Sequence, residues 1–184
     1  MSQDIDPLDV QFHLTHDCIR ACVYADHIGR LKPKADAWPS ICDMLYADAV
    51  ISWNAIFGTT SQETHWKAFT KDFVIPSGVN VKPFGMNVIV EYLKTTPEKW
   101  TDFHSAMVDF RNKRLAHFDP SVVRQDFPNL TWVMHSAYLY REWLLLLLRE
   151  RQQGGESIKV TDTTGPKMLE LFKNQISEIC RDDN

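Results

Sequence analysis

The stretch FRNKRLAHFD, residues 110–119, gathers the side chains best suited to chemistry on a phosphate. Arg111 and Arg114 each offer a forked, permanently charged set of donors for phosphate oxygens. A histidine has an ordinary pKa of about 6.5, so His117 can give or take a proton at neutral pH. The segment is therefore either a solvated basic helix end or a site that holds a phosphate while a proton moves.

The helix that leads into this stretch helps to decide between the two interpretations. On a wheel of ~100° per residue, four apolar residues cluster within about 60° and form a core stripe: Trp100, Phe103, Met107 and Phe110. Arg114 continues the middle of the stripe, His117 falls at its edge, and Arg111 lies roughly 70° from its centre. Only Lys113 clearly points to another face. The wheel therefore argues against a simple solvated end.

A cation that continues an apolar stripe needs an acid, a cavity or a subunit interface, because burying an unpaired guanidinium is costly. Two acids lie on comparable predicted core faces. Asp26 falls in line with Leu8 and Ile19 on the first helix, and Asp48 falls on a second-helix face with Met44, Leu45, Ile51 and Ala55. Asp48 is the candidate orienting partner, and a plain structural ion pair is an equally good interpretation.

Composition and charge limit the class of protein. The chain has 184 residues, 44% of them hydrophobic, and a net charge of −4, which predicts one globular domain without an overall basic field. Positive charge is local, since residues 111–151 carry seven Lys or Arg against four Asp or Glu. No signal-peptide pattern and no apolar run of ~18 residues is present. With four cysteines lacking CxxC spacing, these features favour a cytoplasmic protein with no membrane partner.

Helix signals dominate, so we expect an all-α fold, an up-and-down bundle of four core helices plus extra short ones. Residues 1–153 are expected to form the bundle, and residues 154–184 a C-terminal extension with one amphipathic helix packing on the same domain. A capping box at Thr60–Glu63 predicts a short third helix, and IKV, residues 158–160, one short strand. The helices are expected at about residues 7–30, 39–57, 60–69, 86–94, 97–116, 130–152 and 166–180.

The long helix predicted from Leu130 has apolar residues nearly all round it. Its narrow polar strip consists of Thr131, His135, Glu142 and Arg149. Arg141 interrupts the apolar side and is a second candidate for a buried cation. A helix of this kind is central in a bundle or lies at a subunit interface. A single chain of this size is expected to struggle to cover it, so we expect a homodimer.

An all-α bundle with Arg111-Asn112 followed by His117 after a short spacer resembles the HEPN superfamily. With DAVISWNAIFG and HWKAF upstream, at residues 48–58 and 65–69, the chain resembles most the AbiU-type HEPN proteins linked to phage abortive infection. The likeness covers the organisation of about residues 5–150 and about ten residues of motif.

The resemblance implies a metal-independent endoribonuclease without a cofactor, a toxin or phage-defence enzyme that acts on RNA as a homodimer with two facing motifs. In such a reaction the 2′-OH of RNA attacks the adjacent phosphate. The resemblance gives His117 the role of general acid/base, Arg111 that of phosphate clamp and Asn112 that of polar assistant. By geometry, Arg114 is a second clamp, and Lys113 is a further substrate-binding candidate.

Two features of the motif bear on this interpretation. On an ideal helix Asn112 points away from Arg114, so it joins the site only if the helix distorts or a partner subunit completes it. His117 is followed by Phe118 and Asp119, so the His-x-Tyr ending of HEPN toxins modified by a nucleotidyltransferase is missing. A cognate antitoxin protein is still a candidate partner.

Other interpretations stay open. One is a non-catalytic HEPN-like bundle that binds RNA, a nucleotide or a protein, and another is an unrelated helical protein with a structural Arg/His cluster. Binding needs the arginines, whereas cleavage needs His117 as well. His13, His16 and Asp17 lie about one helical turn apart but lack a further ligand, so no metal is expected.

Overall fold

The described part of the chain is built from helices. The computed structural model describes residues 6–71, 82–116, 128–153 and 165–181, and these ranges contain no strand. The all-α helical bundle is therefore confirmed, while the predicted strand at residues 158–160 lies outside the described residues. None of the described helices is both long and apolar enough to cross a membrane. The elements are α1 (Pro7–Leu31), α2 (Trp38–Phe57), α3 (Trp66–Lys71), α4 (Met86–Tyr92), α5 (Pro97–Phe110), a π segment (Arg111–Ala116), α6 (Leu130–Gln153) and α7 (Gly165–Arg181).

Local end signals set the bounds of α1 and α2. The Asp6 carboxylate accepts a hydrogen bond from the backbone N–H of Leu8 at 2.9 Å, which caps the N-terminus of α1. Gly58 ends α2, and a Cβ added there would lie 2.4 Å from the backbone oxygen of Asn54. Any larger residue at position 58 would have to displace the last turn of α2, so glycine is required for this helix end.

The predicted start of the third helix is wrong. Residues 59–65 form turns, in which Gln62 N–H donates to Thr59 O and His65 N–H to Gln62 O. The helix begins only at Trp66. His65 takes the capping role, because its Nδ1 accepts the backbone N–H of Lys67 at 3.0 Å. An imidazole nitrogen thus replaces the predicted threonine hydroxyl.

Helix α6 is largely buried within the bundle, packed mainly against α1, so the exposure of its apolar side chains gives no reason to expect a homodimer. Trp143 is only 7% exposed, and among the five consecutive leucines only Leu146, at 42%, is exposed. Five apolar α6 residues are 0% exposed: Val133, Ala137, Tyr140, Leu144 and Leu147. One chain therefore covers this helix by itself, and a second copy is not needed for that purpose.

Helix α7 packs along α1 and completes the core on that side. Met168 and Phe172 belong to the same buried cluster as α1 and α2. The Tyr24 hydroxyl bonds the Gln175 side chain at 2.8 Å, and His27 Nε2 lies 2.7 Å from the Ser177 hydroxyl. The amphipathic pattern of this helix is thus matched by contacts along its length.

The prediction of which face of α2 is buried is wrong. Met44 is 63% exposed and Ile51 is 53% exposed, and Asp48 between them is exposed as well. The buried side of α2 is formed by Ala49, Val50, Trp53, Ile56 and Phe57. Because α2 carries apolar residues on more than one face, its periodicity does not single out the buried one. Asp26 on α1 is also exposed, and it pairs with Arg30.

Candidate functional site

The helix that carries the motif changes its geometry where the motif begins. Residues Pro97–Phe110 are α-helical, and Arg111–Ala116 are π-helical. A π-helix closes its hydrogen bonds from residue i to i+5, so side chains within it no longer follow the α-helical wheel. Such segments occur often at functional sites. The distortion on which a role for Asn112 depends is therefore present.

Asn54 on α2 contacts the helix one turn before this change. Its Nδ2 donates to Val50 O at 2.9 Å on its own helix and to Met107 O at 3.3 Å on α5. The backbone N–H of Arg111 donates to Met107 O and also to Val108 O. Met107 O therefore accepts two donors, one from its own helix and one from α2. Asn54 thus braces α2 against the turn that leads into the motif.

Three of the four polar residues of the π segment are half-buried. These are Arg111, Asn112 and Arg114, whereas Lys113 is exposed and forms an ion pair with Asp109 one turn earlier. The solvent-facing position of Lys113 agrees with the wheel. The motif therefore places two guanidinium groups and one amide at the edge of the core.

The two arginines differ in their surroundings. The guanidinium carbon of Arg114 lies 5.3 Å from the centroid of the Phe110 ring, a cation–π contact. Among the described residues, no hydrogen bond or ion pair holds the side chain of Arg111. A half-buried arginine without such a partner in the described part of the chain is suited to accept an anion.

Asp48 is not on the core face, so the geometric basis for its role as orienting partner is wrong. Its pKa is raised by partial burial and by the nearby Asp17, an effect that Arg20 opposes. No hydrogen bond or ion pair between described residues joins Asp48 to Arg111 or Arg114. The charged neighbours of Asp48 are thus on α1.

Arg141 is the buried cation that the α6 pattern predicts. Its side chain is 2% exposed, its guanidinium carbon lies 4.9 Å from the Phe12 ring centroid, and Nη1 pairs with Glu142 at 3.0 Å. Burial lowers its pKa, and the carboxylate of Glu142 opposes that effect. Arg141 is therefore held by Phe12 and Glu142, two residues outside the motif.

Two histidines that no sequence motif singles out, His65 and His104, meet at the end of α2. His104 Nε2 donates to Phe57 O at 2.6 Å and lies 3.1 Å from Gly58 O, so it satisfies carbonyls that the helix leaves open. His65 is 2% exposed, and burial, followed by the charges of Lys67 and His104, lowers its pKa to about 4. The one signal available in the sequence was spacing, since His104 precedes Arg111 by seven residues, or about two helical turns.

His117, Phe118 and Asp119 lie outside the described residues, so the motif is described only as far as Ala116. Within the described ranges, no three His, Cys, Asp or Glu side chains are grouped so that they could hold a metal ion. Comparison of the chain with models of protein families, with curated proteins and with solved structures finds no match.

Proposed function

We propose that the protein is a metal-independent endoribonuclease of the toxin or phage-defence type that cleaves RNA by attack of the 2′-OH on the adjacent phosphate. The observation that carries the proposal is the π segment at Arg111–Ala116. It places Arg111, Asn112 and Arg114 half-buried at one helix end, where Arg111 has no partner among the described residues. Together with the HEPN-like spacing to His117, this arrangement suits a phosphate that gains negative charge during reaction.

In this reaction Arg111 and Arg114 hold the phosphate oxygens through their forked donors. His117 accepts the proton of the 2′-OH and returns a proton to the leaving 5′ oxygen. Asn112 donates its amide N–H to the same phosphate. Lys113, exposed beside Asp109, contributes to attraction of the strand.

Two facing copies of the motif complete the site in this proposal, and a cognate antitoxin is a candidate protein partner. The support for the homodimer is the HEPN resemblance together with the exposed apolar face of α2, where Met44 and Ile51 are more than half exposed. Exposed apolar residues on one helix face are a feature of subunit interfaces.

The decisive experiment is an RNA cleavage assay in EDTA with purified protein and the variant His117→Ala. We expect loss of cleavage with an unchanged circular dichroism spectrum and unchanged mass in light scattering. His13→Ala is the matched control, because His13 is an exposed histidine on α1. Equal cleavage by the wild type and His117→Ala would refute the assignment.

Binding without cleavage is the second candidate, and the half-buried arginines favour it as much as they favour cleavage. Arg111→Ala should weaken RNA binding as well as turnover, whereas His117→Ala should weaken turnover alone. RNA that binds in an Arg111-dependent way but is never cut identifies the protein as a binding module. RNA affinity that is equal with and without Arg111 removes the clamp role.

A further inference from the structure

A cavity of about 190 Å³ lies between the end of α2, α3, α4 and the first turns of α5. At roughly 30 Å³ per water molecule, this volume corresponds to about six waters. Drug-sized ligands occupy larger sites. The cavity therefore suits one planar ring system rather than an extended small molecule.

Aromatic side chains form much of the cavity wall. Phe57, Trp66 and Trp100 line it. The Trp66 ring stacks on His65 with centroids 5.7 Å apart and an angle of 29°, and the edge of Phe84 meets it at 5.3 Å. These contacts fix the indole, while Trp66 stays only half-buried. A fixed, partly exposed indole is a platform on which a flat ring can stack.

The histidines of the wall are held by backbone groups. His65 Nδ1 accepts the Lys67 N–H, so in its neutral form the proton is on Nε2. His104 donates through Nε2 to Phe57 O, which leaves Nδ1 as the acceptor of the neutral ring. Among the described residues no hydrogen bond uses this Nδ1. The cavity wall thus includes a histidine whose Nδ1 is open to an N–H donor from the described part of the chain or from a ligand.

The helix that contributes His104 to the cavity also carries the motif. The backbone N–H of Arg111 still bonds Met107 O four residues earlier, so α-helical geometry reaches Arg111 itself. His104 and Arg111, seven residues apart, therefore lie on the same side of this helix, about 10 Å apart along its axis. Lys67 is exposed at the cavity rim, with its Nζ 5.5 Å from the Trp66 ring centroid.

We propose that this cavity, the base pocket, takes an unpaired nucleobase of the RNA strand whose phosphate Arg111 holds. The inference rests on the proposed function. The base stacks on Trp66, an N–H of its edge donates to His104 Nδ1, and Lys67 neutralises a neighbouring phosphate. All four bases carry an N–H group on the edge used for pairing, so the pocket accepts any base by this contact.

The test uses a fluorescein-labelled 2′-O-methyl RNA hexamer, which cannot be cleaved by its own hydroxyl, and measures its affinity by anisotropy. Trp66→Leu should weaken binding roughly tenfold, in line with the loss of one stacked base, and Trp66→Phe should restore most of it. Lys67→Ala should weaken binding, whereas Lys99→Ala, an exposed lysine outside the cavity, should not. An abasic hexamer should bind the wild type as weakly as the normal hexamer binds Trp66→Leu.

Equal affinity of wild type, Trp66→Leu and Trp66→Phe overturns the base pocket, and so does equal binding of the abasic hexamer. Adenosine 5′-monophosphate that competes as strongly as the hexamer overturns the assignment to an RNA strand in favour of a free nucleotide. RNA cleavage in EDTA is scored separately. Cleavage without a Trp66 effect refutes only the pocket, and Trp66-dependent binding without cleavage refutes only the nuclease.

Discussion

Replacement of Asn54 by leucine separates the stability of the bundle from the geometry of the motif. Asn54 is 1% exposed, and its Nδ2 makes two hydrogen bonds, to Val50 O and Met107 O. Its Oδ1 is buried without a hydrogen bond among the described residues. Leucine has the same branching and the same number of side-chain heavy atoms and carries neither polar group, so Asn54→Leu removes the brace and the unsatisfied acceptor together.

The expected change in stability is small. Two hydrogen bonds contribute about 1–3 kcal/mol in total, and an unsatisfied buried acceptor costs about 1–3 kcal/mol, so the two effects nearly cancel. Met107 O keeps the backbone N–H of Arg111 as a donor. A net change within about 1 kcal/mol corresponds to a Tm shift of no more than about 4 °C for a chain of this length.

RNA affinity, in contrast, should fall by about tenfold or more, because loss of the hydrogen bond to Met107 O lets the turn that carries Arg111 shift relative to α2. Ser136→Ala is the matched control, since it leaves the buried Trp53 Nε1 without its acceptor at 2.8 Å. It should lower Tm by about 2–12 °C and leave RNA affinity unchanged. The reasoning is refuted if Asn54→Leu keeps wild-type RNA affinity, or if it unfolds far below the Ser136→Ala variant.

Two further predictions concern titration and reactivity. His65 has a pKa of about 4 in the folded chain and about 6.5 when unfolded, so the unfolded state binds the proton first as pH falls. Stability should therefore decline between pH 6.5 and 4, by up to about 3 kcal/mol. His65→Asn should reduce that decline in urea titrations at pH 7.5 and 4.5, and an identical decline in the variant contradicts the assignment. Cys42 is half-buried while Cys18, Cys22 and Cys180 are buried, and burial raises the pKa of the Cys18 thiol well above its ordinary value. Iodoacetamide should therefore modify Cys42 first in native protein, and mass spectrometry that finds Cys18 modified first contradicts this order.

The sequence predicted those features that are set by near neighbours. The helix starts predicted at residues 7 and 97 and the helix end predicted at residue 57 agree with the structure, where Asp6, Thr96 and Gly58 set these ends through hydrogen bonds or backbone space within a few residues. Arg141 could be predicted as buried because the residues on the same side of α6 are apolar.

The features that the sequence did not predict depend on distant parts of the chain. The contact between Asn54 and Met107 joins residues 53 positions apart, and no local pattern in the sequence reports it or the π segment that follows one turn later. Which face of α2 is buried depends on the helices that pack against it, because apolar residues occur on both sides of α2. His65 and His104 come together only when α3 and α5 pack at the end of α2.

The contacts of α7 have a consequence for synthesis of the protein. Tyr24 and His27 on α1 meet partners on α7 that are 151 and 150 residues later in the chain. On a ribosome, α1 emerges first and must leave this side uncovered until residues 165–181 have been made. Closing so long a loop is slow, so docking of α7 is expected as the last step of folding. The nascent chain therefore exposes apolar surface for most of its translation, which is the period in which a chaperone would act on it.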